Sequence, residues 1–229
     1  MYNLKKIKLT RKIILIFCFI FLTQFSHGQV IDRYGLNVGA SYSTQLWDFK
    51  FISVDWDRDY KVGLMTFISA EKFFGKFGLR TEIGYLQKGF KDTRELIFSD
   101  GTSISSKNKS VILNDLALNI GLKFTPFKFE NSPYIFIGGR GDYLISYKDI
   151  VLEEPISGYK FNLYKSDIEE FSKFNLGGLV GIGIDIKEMF YFEIEYNPNF
   201  TKNLDDKGLS IKDKCFGVKI GVNINKLKK

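Results

Sequence analysis

Histidine is almost absent from this sequence, cysteine and proline are scarce, and no apolar run is long enough to cross a bilayer as a helix. The 229 residues hold one histidine (His27), two cysteines (Cys18 and Cys215) and four prolines. His27 and Cys18 both fall in a stretch that reads as a secretory leader, 1–28. Lys5, Lys6, Lys8, Arg11 and Lys12 form its basic n-region and 13–22 its apolar h-region. Ser26-His27-Gly28 then places small residues at the −3 and −1 positions of a cleavage site before Gln29. The apolar run, about ten residues, falls short of the roughly 20 that a spanning helix needs. Phe17 stands before Cys18 where lipidation requires a small side chain, which argues against a lipid anchor.

The mature chain expected from this, 29–229, has Cys215 alone and no histidine. An internal disulfide is thereby excluded, as are Ser-His-Asp, Cys-His and histidine-ligated metal arrangements. Charge of one sign is lacking too. The leader takes five of the 33 basic residues and none of the 26 acidic ones, leaving 28 against 26, a net +2. That is no basis for nucleic-acid binding. Aromatic content of 16% argues for an ordered chain, and the length for a single domain.

What the chain does have is alternation. The stretch 77–89, F-G-L-R-T-E-I-G-Y-L-Q-K-G, separates Phe77, Leu79, Thr81, Ile83 and Tyr85 from Gly78, Arg80, Glu82, Gly84 and Lys88. A period of two is the mark of a strand whose faces meet different surroundings. Here the second face carries glycines and opposed charges, as a narrow polar interior would. The same pattern recurs at 34–43, 60–72, 111–124, 134–146, 174–186, 190–201 and 214–224. The connections between these eight strands run about 16, 4, 20, 8, 27, 3 and 12 residues, alternately long and short. Membrane barrels have short periplasmic turns and longer extracellular loops, and their strands need about 9–11 residues. The expected fold is therefore all-β, an eight-stranded antiparallel up-and-down transmembrane β-barrel. Tyr34, Tyr42, Tyr60, Phe77, Tyr134, Phe190 and Tyr196, near strand ends, are expected in interfacial belts. Ser166-Asp167-Ile168-Glu169 reads as a capping box for a helical turn in the third long loop.

Inward parity selects the candidate site: Arg80, Glu82, Asp115, Lys123, Arg140, Asp142, Glu193, Glu195 and Lys219. Such charges can form an ion path, or a carboxylate acid/base pair at Glu193 and Glu195. They can equally form a structural plug. An eight-stranded interior is just wide enough for side chains to fill, and charges buried there must pair. The plug is the reading adopted, with the lumen glycines making room for long Arg and Lys side chains. Asp55, Asp57 and Asp59 resemble half of a calcium loop without its glycine and distal glutamate, so they and Glu153/Glu154 read as solvated loop. The glycines of 177–183 lie within a strand with no helix following, and so read as barrel wall. Cys215 is expected in the lumen as inert packing.

Several of these stretches also carry a family resemblance. They are G-L-N-V-G-A-S-Y-S (35–43), F-G-L-R-T-E-I-G-Y-L-Q-K-G-F (77–90), L-N-D-L-A-L-N-I-G-L-K-F (113–124), Y-I-F-I-G-G-R (134–140), G-G-L-V-G-I-G-I (177–184) and F-E-I-E-Y-N-P-N-F-T-K-N (192–203). With them the chain resembles the PorT-like family of small outer-membrane barrels, E-x-x-Y-x-Q-K-G at 82–89 being the most specific element. The resemblance implies the outer membrane of a Gram-negative cell, no catalytic residues, no cofactor and no metal. It implies membrane lipid and the barrel assembly machinery as partners, with an envelope or secretion partner at the loops. One element departs from it: outer-membrane barrels usually end in an aromatic residue, and this chain ends Asn225-Lys226-Leu227-Lys228-Lys229. Alternative readings fit less well. A lipocalin-like exported barrel needs an apolar lumen, a membrane-embedded hydrolase would need an all-carboxylate mechanism, and a conducting pore needs a gap in the plug.

Overall fold

Alternating β-branched, aromatic and glycine residues give long strands whose two faces cannot share one solvent, and closing the sheet on itself resolves the conflict. The computed structural model describes residues 31–51, 58–97, 101–127, 129–206 and 208–225. The leader, Asp55, Asp57 and the closing Lys226, Lys228 and Lys229 lie outside the described residues. Eight long strands build the wall: β1 (Arg33–Phe49), β2 (Asp59–Phe74), β3 (Phe77–Lys91), β6 (Ser110–Phe124), β7 (Asn131–Lys148), β10 (Phe174–Ile186), β11 (Phe190–Pro198) and β13 (Leu209–Asn225). All neighbours are antiparallel, in the order β1-β2-β3-β6-β7-β10-β11-β13. Strand β13 then returns to β1 in an unbroken ladder from Arg33↔Asn225 to Phe49↔Leu209 and closes the barrel. No edge is left exposed, which lipid requires.

The connections alternate as expected. Short turns occupy 75–76, 125–130 and 187–189 at one end, and longer segments occupy 50–58, 92–109, 149–173 and 199–208 at the other. Gly75 has φ +67°, as a two-residue hairpin turn demands. The long segments are not plain loops. They hold two small hairpins, β4 (Glu95–Ile97) with β5 (Ser103–Ser105) and β8 (Val151–Glu153) with β9 (Lys160–Asn162). They also hold a helical turn, α1 (Lys165–Glu169), and β12 (Leu204–Asp205), which pairs with β13. The helical turn is where the sequence places one. Its N-cap is Tyr164 with no side-chain cap, so Ser166 does not act as a capping box. The seventh strand ends at Pro198 instead of Thr201, because proline cannot donate to a ladder.

Burial is inverted relative to a water-soluble protein. Leu36, Val62, Ile68, Ile137, Ile182 and Ile220 are each 58–66% exposed, whereas Arg80, Glu82, Lys123, Glu193 and Lys219 are at most 5% exposed. So large an apolar surface is stable only against lipid. A further correction concerns Tyr134. It is 2% exposed and its hydroxyl donates to Glu193 across the lumen, so it belongs to the interior and to no belt. Its even parity with Phe136 and Arg140 already demands this. A charge on the outward face is therefore expected to be costly. Ile137→Arg should lower the unfolding free energy in lipid vesicles by about 2–4 kcal/mol, read from denaturant titration. An unchanged midpoint would mean that this face does not meet hydrocarbon.

Candidate functional site

The site is built from the fold's most specific motif, 82–89, and the irregularity that motif introduces. The β2–β3 ladder runs regularly from Phe74↔Phe77 to Met65↔Leu86, then breaks before resuming at Tyr60↔Phe90. Across the break, β1 supplies the missing partners. The Ser41 hydroxyl donates to the Gln87 carbonyl, and the Ser43 hydroxyl both donates to the Gly89 carbonyl and accepts from the Gly89 N–H, each at 3.0 Å. This reach over β2 passes Gly63, where a Cβ would lie 2.6 Å from Ser41 Oγ and 2.3 Å from the Gln87 carbonyl oxygen. Gly89 itself has φ +136°, a backbone setting that favours glycine. Next to it, Lys88 is delivered into the lumen at 1% exposure.

Two tiers of charge fill the interior. In the tier nearer the long segments, Lys88 Nζ meets three carboxylates from three other strands: Asp115 at 2.8 Å, Asp142 at 3.0 Å and Asp213 at 2.8 Å. Arg140 Nε lies 2.9 Å from Asp142, and Asp213 also accepts from Gln45 and Asn203. In the tier nearer the short turns, Arg80 spans Glu82, Glu193 and Glu71, with its guanidinium 4.9 Å from the Tyr191 ring. Lys219 Nζ meets Glu82 at 3.0 Å, Glu193 at 2.8 Å and Glu195 at 2.6 Å. Lys123 meets Asp185 at 2.9 Å, and Arg33 reaches the same carboxylate at 3.2 Å. Between the tiers, Met65, Phe67, Leu86, Ala117 and Cys215 form an apolar seam. Cys215 is wholly buried there, and its thiol donates to the Phe216 carbonyl.

All nine residues selected by parity thus lie within the lumen, each with at least one opposite charge in reach. Glu193 and Glu195 are brought together by a lysine that both contact, which leaves neither free as a base. Six further buried charges of the wall strands escaped the selection: Arg33, Lys61, Glu71, Lys88, Asp185 and Asp213. Parity alone finds Lys61, Glu71, Lys88 and Asp185. Arg33 and Asp213 lie just beyond the strand limits drawn from the alternation, on strands that run further than those limits. Of the loop carboxylates, Glu153 pairs with Lys160 at 3.3 Å on the surface and Glu154 accepts from Ser157. Among the described residues, no cluster of histidine, cysteine or carboxylate side chains fits a metal ion.

Above the upper tier the long segments form a second core. Phe90, Val111, Leu113 and Ile211, which continue the inward faces of β3, β6 and β13, pack against Ile150, Leu152, Tyr164, Ile168 and Phe171. The result is a cap over one mouth of the barrel. The Arg58 guanidinium sits 4.6 Å from the Trp47 ring and 5.2 Å from those of Phe90 and Tyr164. Asp92 ties the cap together, taking the Tyr164 hydroxyl at 2.6 Å and the Arg94 guanidinium at 3.2 Å. Burial alone would push the Asp92 carboxyl up. The hydrogen bonds from Arg94 and Tyr164 outweigh it and hold the group below the usual carboxylate range. Burial pushes the Tyr164 hydroxyl well up, and its bond to Asp92 adds to that.

The model of the outer membrane protein β-barrel domain matches residues 33–205. No curated protein matches the chain. Among solved structures, the outer membrane protein OprG of Pseudomonas aeruginosa aligns at 10% identity over 85% of this chain and 97% of its own, with a TM-score of 0.50. The attachment invasion locus protein Ail of Yersinia pestis aligns at 14% identity over 85% and 100%, with a TM-score of 0.43. At 10% identity the likeness to OprG concerns the fold alone.

Two outcomes are expected from this geometry. Lys88→Met leaves three buried carboxylates facing one another and should cost about 3–5 kcal/mol in a denaturant titration. Lys88→Met with Asp115→Asn should recover part of that loss; equal stability of wild type and Lys88→Met would refute the pairing. For the cap, the depressed Asp92 carboxyl contributes stability above its unfolded value of about 3.9 that is lost as pH falls through the lower folded value. Proteolysis of 149–173 should therefore quicken in wild type as pH falls below about 4. In Asp92→Asn it should be fast at neutral pH, with little further change on acidification.

Proposed function

We propose, from the premise that the chain belongs to the outer membrane protein β-barrel domain family, a non-enzymatic barrel whose lumen charges are a structural plug. On this reading the charged residues hold opposite walls together and carry no substrate. The protein then acts through the capped long segments on the extracellular side, in envelope maintenance, secretion or surface interaction. The observation that carries the proposal is the mutual pairing of the lumen charges beneath a packed cap, which leaves the cap as the surface offered to a partner from water. The motif 82–89 supports the narrower kinship with the PorT-like barrels, because its Glu82 and Lys88 build the plug and its Gly89 the wall irregularity beside Lys88. Export by the leader, removed near Gly28, and insertion by the barrel assembly machinery complete the proposal.

A conducting pore is disfavoured by Arg80, Lys219 and Lys88, each of which bridges the lumen from β3 or β13. A lipocalin-like carrier is disfavoured by the charged interior and apolar exterior. The test is envelope fractionation followed by electrophoresis with and without boiling. The expected result is an outer-membrane protein whose mobility shifts on heating, and whose engineered cysteines at 101–109 and 149–173 crosslink a specific envelope protein in intact cells. A soluble periplasmic protein without a mobility shift would overturn the proposal.

A further inference from the structure

The outward face of the barrel near its capped end carries a cluster of side chains that the plug does not use. On four adjacent strands, β2, β1, β13 and β11, the rings of Tyr60, Tyr42, Phe216 and Tyr196 meet. Tyr42 and Tyr60 stack at 4.3 Å, Tyr196 and Phe216 stack at 4.8 Å, and Tyr60 approaches Phe216 at 6.5 Å. Continuing β13 outward from Phe216 towards the cap, the same face presents Lys214 and then Lys212, both half-buried. Lys214 Nζ lies 5.9 Å from the Phe216 ring, and neither lysine forms an ion pair with a described residue. Asp48 of β1 and Asp205 of β12, both paired in register with Ser210 of β13, are the acidic groups beside Lys212, and Asp205 is already held by Lys50 and Lys202. In the other direction come Val218, Ala40, Leu64 and Ile194, with Val218 and Leu64 exposed on the wall.

Read along the barrel axis, the chemistry runs cation, ring platform, aliphatic wall. Aromatic rings at a membrane boundary hold amphiphiles by their edges and faces, and lysine ammonium groups hold phosphate as point charges. Acyl chains lie against the aliphatic wall below. The geometry points to a binding site for a phosphorylated glycolipid of the outer leaflet. Its phosphate lies against Lys212 and Lys214, its sugar against Tyr42, Tyr60, Tyr196 and Phe216, and its acyl chains along Val218 and Ile194. The order of the three chemistries matches the order of the three parts of such a lipid, which a free phosphate ion would not require. This assignment rests on the outer-membrane orientation proposed above.

The experiment uses the full mature chain refolded in detergent, with its heat-dependent mobility shift recorded first. Loss of that shift in wild type would refute the barrel reading before any lipid is added. Native mass spectrometry then compares retention of a bis-phosphorylated glucosamine-disaccharide lipid, its dephosphorylated form and phosphatidylglycerol. The phosphorylated glycolipid should be retained roughly tenfold above either control. Lys212→Gln with Lys214→Gln should remove that preference, as should Phe216→Ala with Tyr196→Ala, in variants that keep the mobility shift. Millimolar inorganic phosphate should not compete. Equal retention of phosphatidylglycerol would reduce the site to an unselective basic belt, competition by phosphate would make it a free-anion site, and an unchanged double lysine variant would sink it.

Discussion

Ionic groups sealed inside a narrow barrel are tolerable only when each has a partner, and that requirement governs the rest of this structure. The desolvation cost of a lone buried charge exceeds what any local contact returns. Here partners come from other strands: Arg80 of β3 meets Glu193 of β11 on the opposite wall, and Lys123 of β6 reaches past β7 to Asp185 of β10. Strands distant in the sheet are thus fastened across the lumen as well as along their ladders. A sheet of eight strands closes with little interior volume, and the glycines at 181, 183 and 221 let Phe136, Tyr134 and Tyr191 lie flat where a Cβ would collide.

The wall is irregular where the interior most needs a long cation. The interrupted β2–β3 ladder costs backbone bonds that two serines of β1 replace, and Lys88 gains the position from which it meets three aspartates. Local regularity is given up for a satisfied interior. The outer cap follows the same logic in apolar terms. Once β3, β6 and β13 run past the charged tier, their inward residues become Phe90, Leu113, Val111 and Ile211, and the long segments fold inward to cover them.

Much of this was legible in the chain because one period governs every strand. Parity alone put Glu193 and Lys219 on the inward faces of their strands, and the register then sets them directly opposite each other. The alternation of short and long connections announced a barrel with both ends of the wall on one side. Where legibility failed, the causes are physical. Tyr134 sits near a strand end, where aromatic residues commonly mark an interface, yet an inward tyrosine can give its hydroxyl to a carboxylate. The strands extend past the apolar band, so alternation fades before the strand does, and Arg33 and Asp213 were left outside. Leu152, Ile168 and Phe171 carry no period at all, since loop residues reach the cap core from unrelated backbone directions. The serine reach over Gly63 has no signature in one sequence.

The ladder between β1 and β13 joins the first and last strands of the wall along the full height of the molecule. Topologically the barrel is a ring cut at one point of the chain and re-sewn by hydrogen bonds at that cut. The most sequence-distant strand pair is also the longest, so loop-closure entropy falls on the step that completes the wall. No partial product of synthesis can hold the ring shut. Closure becomes a late event for the whole chain, and permuting the cut to a short turn would move that event without altering a wall contact.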